Sequence, residues 1–160
     1  MAYFAQGQRQ REGVGMQITD RFNAEHQVFL QQLNRLEYAV TQEDASPAMG
    51  QSMVQVIAIA VERHAAVEET TLFPALAHYL GQGVGPLAVM ELEHQAIRRT
   101  LARIVDGRGT LHADVAHFVT VLRDHIAKED GVLFPLARRL LGEEELERLQ
   151  RDAVGANPCM

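Results

Sequence analysis

The sequence predicts an all-α fold: an antiparallel up-down-up-down four-helix bundle with a short C-terminal helix. Three observations predict it. Apolar residues recur in steps of three and four along four long stretches, which keeps one helix face turned to a core. No Val, Ile, Thr or aromatic run alternates with period two, as a half-buried strand would require. Gly and Pro cluster between the stretches, and connections that short force consecutive helices to run antiparallel.

The first helix is predicted to start near Thr19 or Asp20, either of which suits a cap. Its core positions are Phe22, His26, Phe29, Leu33, Leu36 and Val40. The second opens at Ser46-Pro47, a capping residue followed by proline at the first helical position. It continues through Val54, Ile57, Val61, His64, Glu68 and Leu72. Gly81, Gly83 and Gly85-Pro86 separate it from the third, which reads Leu87, Met90, His94, Ile97, Leu101, Ile104 and closes at Gly107–Gly109. The fourth reads Leu111, Val115, Phe118, Leu122, His125, Glu129, Leu133, Leu136, and a short helix near 143–153 follows Gly142. Pro74 and Pro135 fall inside predicted helices, so a kink or break is expected at each. Gly131, four residues before Pro135, eases that strain in the second case.

At 160 residues the chain suits one domain with a sizeable core. The expected division is a flexible tail over 1–17, the bundle over 18–154 and a C-terminal tail over 155–160. A formal charge of −6 and the absence of a clustered Lys/Arg surface argue against nucleic acid. Nothing is apolar for long enough to span a bilayer, and the first fifteen residues lack the apolar stretch of a signal peptide. The single cysteine, Cys159, excludes an intrachain disulfide and suits a reducing compartment. A cytoplasmic protein is the expectation.

The bundle contains an internal repeat. Residues 64–74 read H-A-A-V-E-E-T-T-L-F-P and residues 125–135 read H-I-A-K-E-D-G-V-L-F-P. Both fit H-x3-E-[ED]-x2-L-F-P. A shorter echo, Glu-His-Gln, stands at 25–27 and again at 93–95. His26, His64, Glu68, His94, His125 and Glu129 thereby occupy slots where aliphatic residues would otherwise sit. Burying such groups without partners costs several kcal/mol per charged group, roughly. A hydrogen-bonded His–Glu core is the plain alternative. It must account for one histidine on each of four helices and a carboxylate one turn after two of them.

Metal binding accounts for them directly. Residues four apart project from one helix face, so each H-x3-E can meet one ion or two adjacent ions. Six ligands exceed the four that a structural zinc takes. They suit a pair of ions that accept mixed nitrogen and oxygen donors, iron before manganese or zinc. With both glutamates and one oxo or hydroxo group bridging two six-coordinate ions, about one position per metal is left for a small ligand. The ferritin-like signature, Glu-x-x-His, has the reverse order and a different spacing.

On these residues the chain resembles the hemerythrin-like, or HHE cation-binding, domain family. The resemblance covers about 18–140 and rests on one histidine on each of the first and third helices, H-x3-E on the second and fourth, and the Leu-Phe-Pro after each. It implies a four-helix bundle with a cofactor of two iron ions, held by His26, His64, Glu68, His94, His125 and Glu129. Two departures stand out. Oxygen-carrying members have a fifth histidine where this chain has Arg98. They also use an aspartate at the place of Asp130, whereas the internal repeat points to Glu129. The pattern is closer to bacterial di-iron proteins that respond to nitric oxide and oxidative stress, including those that repair iron–sulfur clusters, although these carry an additional cysteine-containing N-terminal domain.

Three functions share the six ligands: a module that binds oxygen, nitric oxide or peroxide, an enzyme that reduces peroxide or nitric oxide, and an iron donor for cluster repair. The expected partner is a small diatomic or peroxide ligand. Glu25, Glu93, Glu69, Asp130 and Arg98 are candidates for residues that orient the ligands from behind. His78, His112 and His117 have no repeat partner and are read as exposed or structural. Tyr38 and Tyr79 carry no distinguishing signal, and Met49, Met53 and Met90 read as core filler.

Overall fold

The computed structural model describes residues 15–155. Most of the expected N-terminal tail, and all but the first residue of the C-terminal one, lie outside the described residues, as does Cys159. Among the described residues the chain is all helical, with no strand. The helices are α1 (Ile18–Thr41), α2 (Pro47–Val67), α3 (Phe73–Leu80), α4 (Gly85–Val105), α5 (Leu111–Lys128) and α6 (Phe134–Gly155). A π-helical turn joins α2 to α3 over Glu68–Leu72, and a second joins α5 to α6 over Glu129–Leu133. Four long rods result, and they pack as a ring: α1 against α2 and α5, α4 against α2 and α5.

The boundaries follow local chemistry. The cap of α1 is Gln17, two residues before Thr19, which lies buried within the first helical turn. The Gln17 backbone N–H donates to Asp20 Oδ2 at 3.4 Å. At α2 the prediction holds: Ser46 Oγ accepts from the Met49 N–H and Pro47 takes the first helical position. Gly142, at φ 74° and ψ 171°, interrupts α6. A side chain there would be strained, so the rod breaks and the last segment folds back with Leu146, Leu149 and Ala153 buried.

A belt of buried polar residues divides the core. On one side lie Phe29, Leu33, Leu36, Val54, Ile57, Val61, Ile97, Leu101, Ile104, Phe118 and Leu122. On the other lie Ile18, Phe22, Leu72, Phe73, Leu76, Leu87, Met90, Leu133, Phe134, Leu146 and Leu149. Each fully buried Leu or Phe contributes about 1.5–3 kcal/mol, so two such clusters are well able to hold a polar layer between them. Met90 belongs to this core, whereas Met49 does not: it is exposed, because it sits on the outer face of the first turn of α2.

The two prolines produce a widened turn where a kink or break was expected. The Phe73 N–H bonds to the Glu68 carbonyl, five residues back, and the Phe134 N–H bonds to the Glu129 carbonyl. An i→i+5 turn holds one residue more than an α-turn. The proline that follows, lacking an N–H and unable to pack its ring against the carbonyl four residues back, is accommodated without ending the rod. The extra residue also corrects the buried stripe. His64, Glu68, Leu72 and Leu76 are four apart and all buried. Three such steps on an α-helix would drift by about 120°; the wide turn takes that drift back. His125, Glu129, Leu133 and Ala137 repeat the pattern.

Candidate metal centre

Six buried side chains meet in the polar belt. His26 comes from α1, His64 from α2, His94 from α4 and His125 from α5, while Glu68 and Glu129 open the two π-turns. None is more than 5% exposed, and both glutamates are wholly buried. The histidines form two pairs. His26 Nε2 lies 3.0 Å from His64 Nε2, and His94 Nε2 lies 3.1 Å from His125 Nε2.

Each glutamate faces both pairs. Glu68 Oε1 is 3.4 Å from His64 Nε2 and its Oε2 is 3.4 Å from His94 Nε2. Glu129 Oε2 is 3.2 Å from His26 Nε2 and its Oε1 is 3.2 Å from His125 Nε2. Neighbouring donors at right angles around an ion about 2.1 Å away stand about 3 Å apart, so these spacings suit a metal. Two four-residue sets are close enough to hold an ion, His26–His64–Glu68–Glu129 and Glu68–His94–His125–Glu129, each with its ligand atoms within 4.8 Å of one another. The two carboxylates belong to both.

An outer ring decides which atoms point inward. His26 Nδ1 lies 2.7 Å from Asp130, His64 Nδ1 2.6 Å from Glu25, His94 Nδ1 2.8 Å from Glu69 and His125 Nδ1 3.0 Å from Glu93. A carboxylate only accepts, so each Nδ1 carries the hydrogen and each neutral imidazole turns a bare Nε2 lone pair to the centre. The oxygens of Glu68 and Glu129 are buried there with no hydrogen-bond donor. The belt is therefore an all-acceptor shell of four nitrogens and four oxygens, and positive charge is what satisfies it.

Without a metal, protons answer the same demand. Burial disfavours charge on His64, yet Glu68, Glu25 and Glu129 outweigh it and push its pKa up to about 10. His125 is likewise raised against burial, by Glu129 and Glu93. Glu129 is held below the usual carboxylate range, against its burial, by His125 and His26. Burial also works against the charge of the outer acids, and cations overcome it. His64 and Arg21 lower Glu25, Arg98 and His94 lower Glu69, and Lys128 and His125 lower Glu93. Asp130 differs: its oxygen accepts from the Asn23 side-chain amide at 2.8 Å.

The repeated motif crosses the centre. In 64–74, His64 joins His26, Glu68 spans both pairs, and Glu69 holds His94 in the opposite pair. Phe73, from the Leu-Phe-Pro, stacks on that same His94 with ring centroids 5.5 Å apart. In 125–135, His125 joins His94, while Asp130 and Phe134 serve His26, with Phe134 stacked at 5.4 Å. The π-turn is where each motif passes from one pair to the other. The Leu-Phe-Pro thus does more than mark a turn, a role that the sequence reading missed. Its signal was the four-residue step repeated three times; in the second copy the expected core position Leu136, a step of three, gives way to the buried Ala137, because the widened turn shifts the stripe by one residue.

A small cavity adjoins the four histidines, with about 20 Å³ of room for the centre of a water-sized molecule. That is enough for one water or a diatomic molecule. Its remaining walls are mainly apolar, among them Phe29, Val61, Ile97, Leu101, Leu122 and Ile126. Arg98 and Glu62 also line it.

All eleven predicted site residues are thus placed together. The six inner ones form the belt, Glu25, Glu69, Glu93 and Asp130 hold the four imidazoles, and Arg98 holds Glu69. Glu129, not Asp130, points into the belt. Arg98 pairs with Glu62 and Glu69 and not with Glu93. His78, His112 and His117 are exposed, as are Tyr38 and Tyr79.

A helical bundle that encloses paired histidines and shared carboxylates is the architecture of a metal-binding protein. A family model for the hemerythrin HHE cation binding domain matches residues 17–137, and the chain belongs to that family. An iron-sulfur cluster repair protein YtfE from Musicola paradisiaca is 29% identical over 140 residues, which covers 76% of this chain and 63% of that protein. Iron-sulfur cluster repair proteins YtfE from Yersinia pestis and Yersinia pseudotuberculosis are 33% identical over 91 residues, covering 48% of this chain and 41% of theirs. The chain spans less than two thirds of the length of these relatives. No solved structure matches it significantly. Among the described residues no helix is long and apolar enough to cross a membrane.

Proposed function

We propose that this chain is a non-heme di-iron protein that takes up a small ligand, oxygen, nitric oxide or peroxide, in the response to oxidative or nitrosative stress. The observation that carries the reading is the all-acceptor belt: four inward Nε2 atoms in two pairs, with two carboxylates each shared between the pairs. His26 and His64 would hold one iron, His94 and His125 the other, and Glu68 and Glu129 would be shared between them, with an oxo or hydroxo group completing the pair. When bound, such a pair supplies exchangeable positions and electrons to a small molecule. The chain contributes the rest. Glu25, Glu69, Glu93 and Asp130 fix the imidazole tautomers, and the cavity walls offer an apolar site of diatomic size beside the histidines.

The proposed bundle runs up-down-up-down. α1 and α4 pass from the apolar cluster around Phe22 to the one around Leu101, and α2 and α5 pass the other way. The helices then alternate in direction around the ring, as short connections require.

A second reading is favoured by the relatives, which are named for iron–sulfur cluster repair: the chain would donate labile iron to damaged clusters. A third, reductive turnover of peroxide or nitric oxide, uses the same residues. Anaerobic reconstitution with ferrous iron separates them. The expected result is two irons per chain and an optical change on adding oxygen or nitric oxide that reverses under vacuum. Rapid transfer of iron to an apo-cluster protein would favour the donor, and multiple turnovers of peroxide the enzyme. Well under two metals per chain would sink the di-iron reading.

A further inference from the structure

Every residue lining the small cavity is buried except Glu62 and Arg98. These two are by far the most exposed of its walls, which places them between the cavity and solvent. They are not independent. Arg98 Nε donates to Glu62 Oε2 at 2.7 Å and its Nη2 to Glu62 Oε1 at 3.1 Å, a two-point clamp between α4 and α2. The same guanidinium donates to Glu69 at 2.8 and 3.0 Å, and Glu69 in turn holds His94 Nδ1. The two halves of this grip differ. Glu62 is more than half exposed, so its pairing with Arg98 is screened and readily broken. Glu69 is fixed further by His94 and stays in place.

We propose that the Arg98–Glu62 pair is the door through which small uncharged molecules reach the centre, and that Arg98 is also a positioning residue for His94. Opening needs only Glu62 to swing away. Arg98 keeps Glu69, and Glu69 keeps the ring of His94 turned inward. Entry and ligand geometry are thus set by one side chain. Beyond the pair the walls are mainly apolar, so an uncharged molecule enters without the desolvation that an ion would suffer. The proposal rests on the small-ligand reading above for its use, but its geometry is tested separately.

The test compares Glu62→Gln, Arg98→Lys and Arg98→Leu with the parent chain. One measurement is the rate of nitric oxide association with the ferrous-loaded protein. The other is the rate at which dissolved xenon exchanges with the methyl groups of Leu101 and Ile97, which needs no metal. Glu62→Gln is expected to speed both about threefold, the scale set by one exposed ion pair, with metal content unchanged. Arg98→Leu is expected to speed both at least as much, and also to lose iron to a ferrous chelator about tenfold faster, because Glu69 is released from one side. Arg98→Lys retains the charge without the fork and falls between. Xenon exchange unchanged in Glu62→Gln and Arg98→Leu would overturn the door. Unchanged iron release in Arg98→Leu would overturn the positioning role. If the parent chain binds no nitric oxide, the ligand reading fails while xenon still decides the route.

Discussion

Glu68 and Glu129 carry the heaviest demand of any side chains in the protein. Each is wholly buried, each offers two oxygens without a hydrogen-bond donor, and each faces both histidine pairs. A carboxylate in that position is stable only beside positive charge. Replacing either by Ala should therefore remove a ligand from both candidate metal positions at once, and elemental analysis after reconstitution should show loss of most of the metal. His117→Ala, at an exposed position on α5, should retain two metals. Equal retention in all three variants would contradict the assignment. The outer acids act more gently. Removing one leaves the inward ligands intact but frees an imidazole to rotate, a change that typically weakens metal binding about 10–100-fold. The inner six could be read from the chain because polar residues had displaced aliphatic ones at core spacing. The pairing of Glu25 with His64 and of Asp130 with His26 could not, since those partners lie 39 and 104 residues apart. Only the packing of one rod on another brings them together.

At the scale of the element, the π-turns explain why each motif ends in Leu-Phe-Pro. Helix existence and most core positions followed from periodicity, because a buried stripe leaves a direct trace in sequence. The widened turn left a subtler one. A step of four taken three times running, 64 to 76 and 125 to 137, is too long for an α-helix to keep on one face, and each proline lies two residues before the end of the run. If the turn is an α-helix with one added residue, deleting Thr71 together with Pro74→Ala should restore a regular helix. Leu72, Phe73 and Leu76 would keep their facing, and the variant should still melt cooperatively. Inserting one Ala after Thr71 instead should rotate 72–80 by about 100° and carry those three residues off the core. At about 1.5–3 kcal/mol for each apolar side chain, and about 2–4 °C for each kcal/mol in a chain of this size, the midpoint should fall by at least about 9 °C. Thermal melts followed by circular dichroism decide it, and similar losses from the two variants would refute the added-residue account.

For the whole molecule, the polar belt is the joint between two apolar clusters, so occupancy of the belt and stability of the fold are linked. A ligand that binds only the folded state stabilises it by about 2.7 kcal/mol at a hundredfold excess over its dissociation constant. Two metal positions filled to that degree should together raise the midpoint by about 10–20 °C in a chain of this size. The metal-free chain should nevertheless stay folded. His64, its pKa pushed up to about 10, carries a proton at neutral pH and supplies beside Glu68 the charge that a metal otherwise brings. Excess chelator is therefore expected to lower the midpoint while leaving the transition cooperative, with helicity below it unchanged. Glu68→Ala, stripped of a ligand shared by both pairs, should show almost no chelator-dependent shift. A parent midpoint indifferent to chelator, with metal demonstrably removed, would mean that the belt is a self-satisfied network of protonated histidines and glutamates. A large shift in the parent chain and none in Glu68→Ala would mean that the ion is the keystone between the two halves of the core.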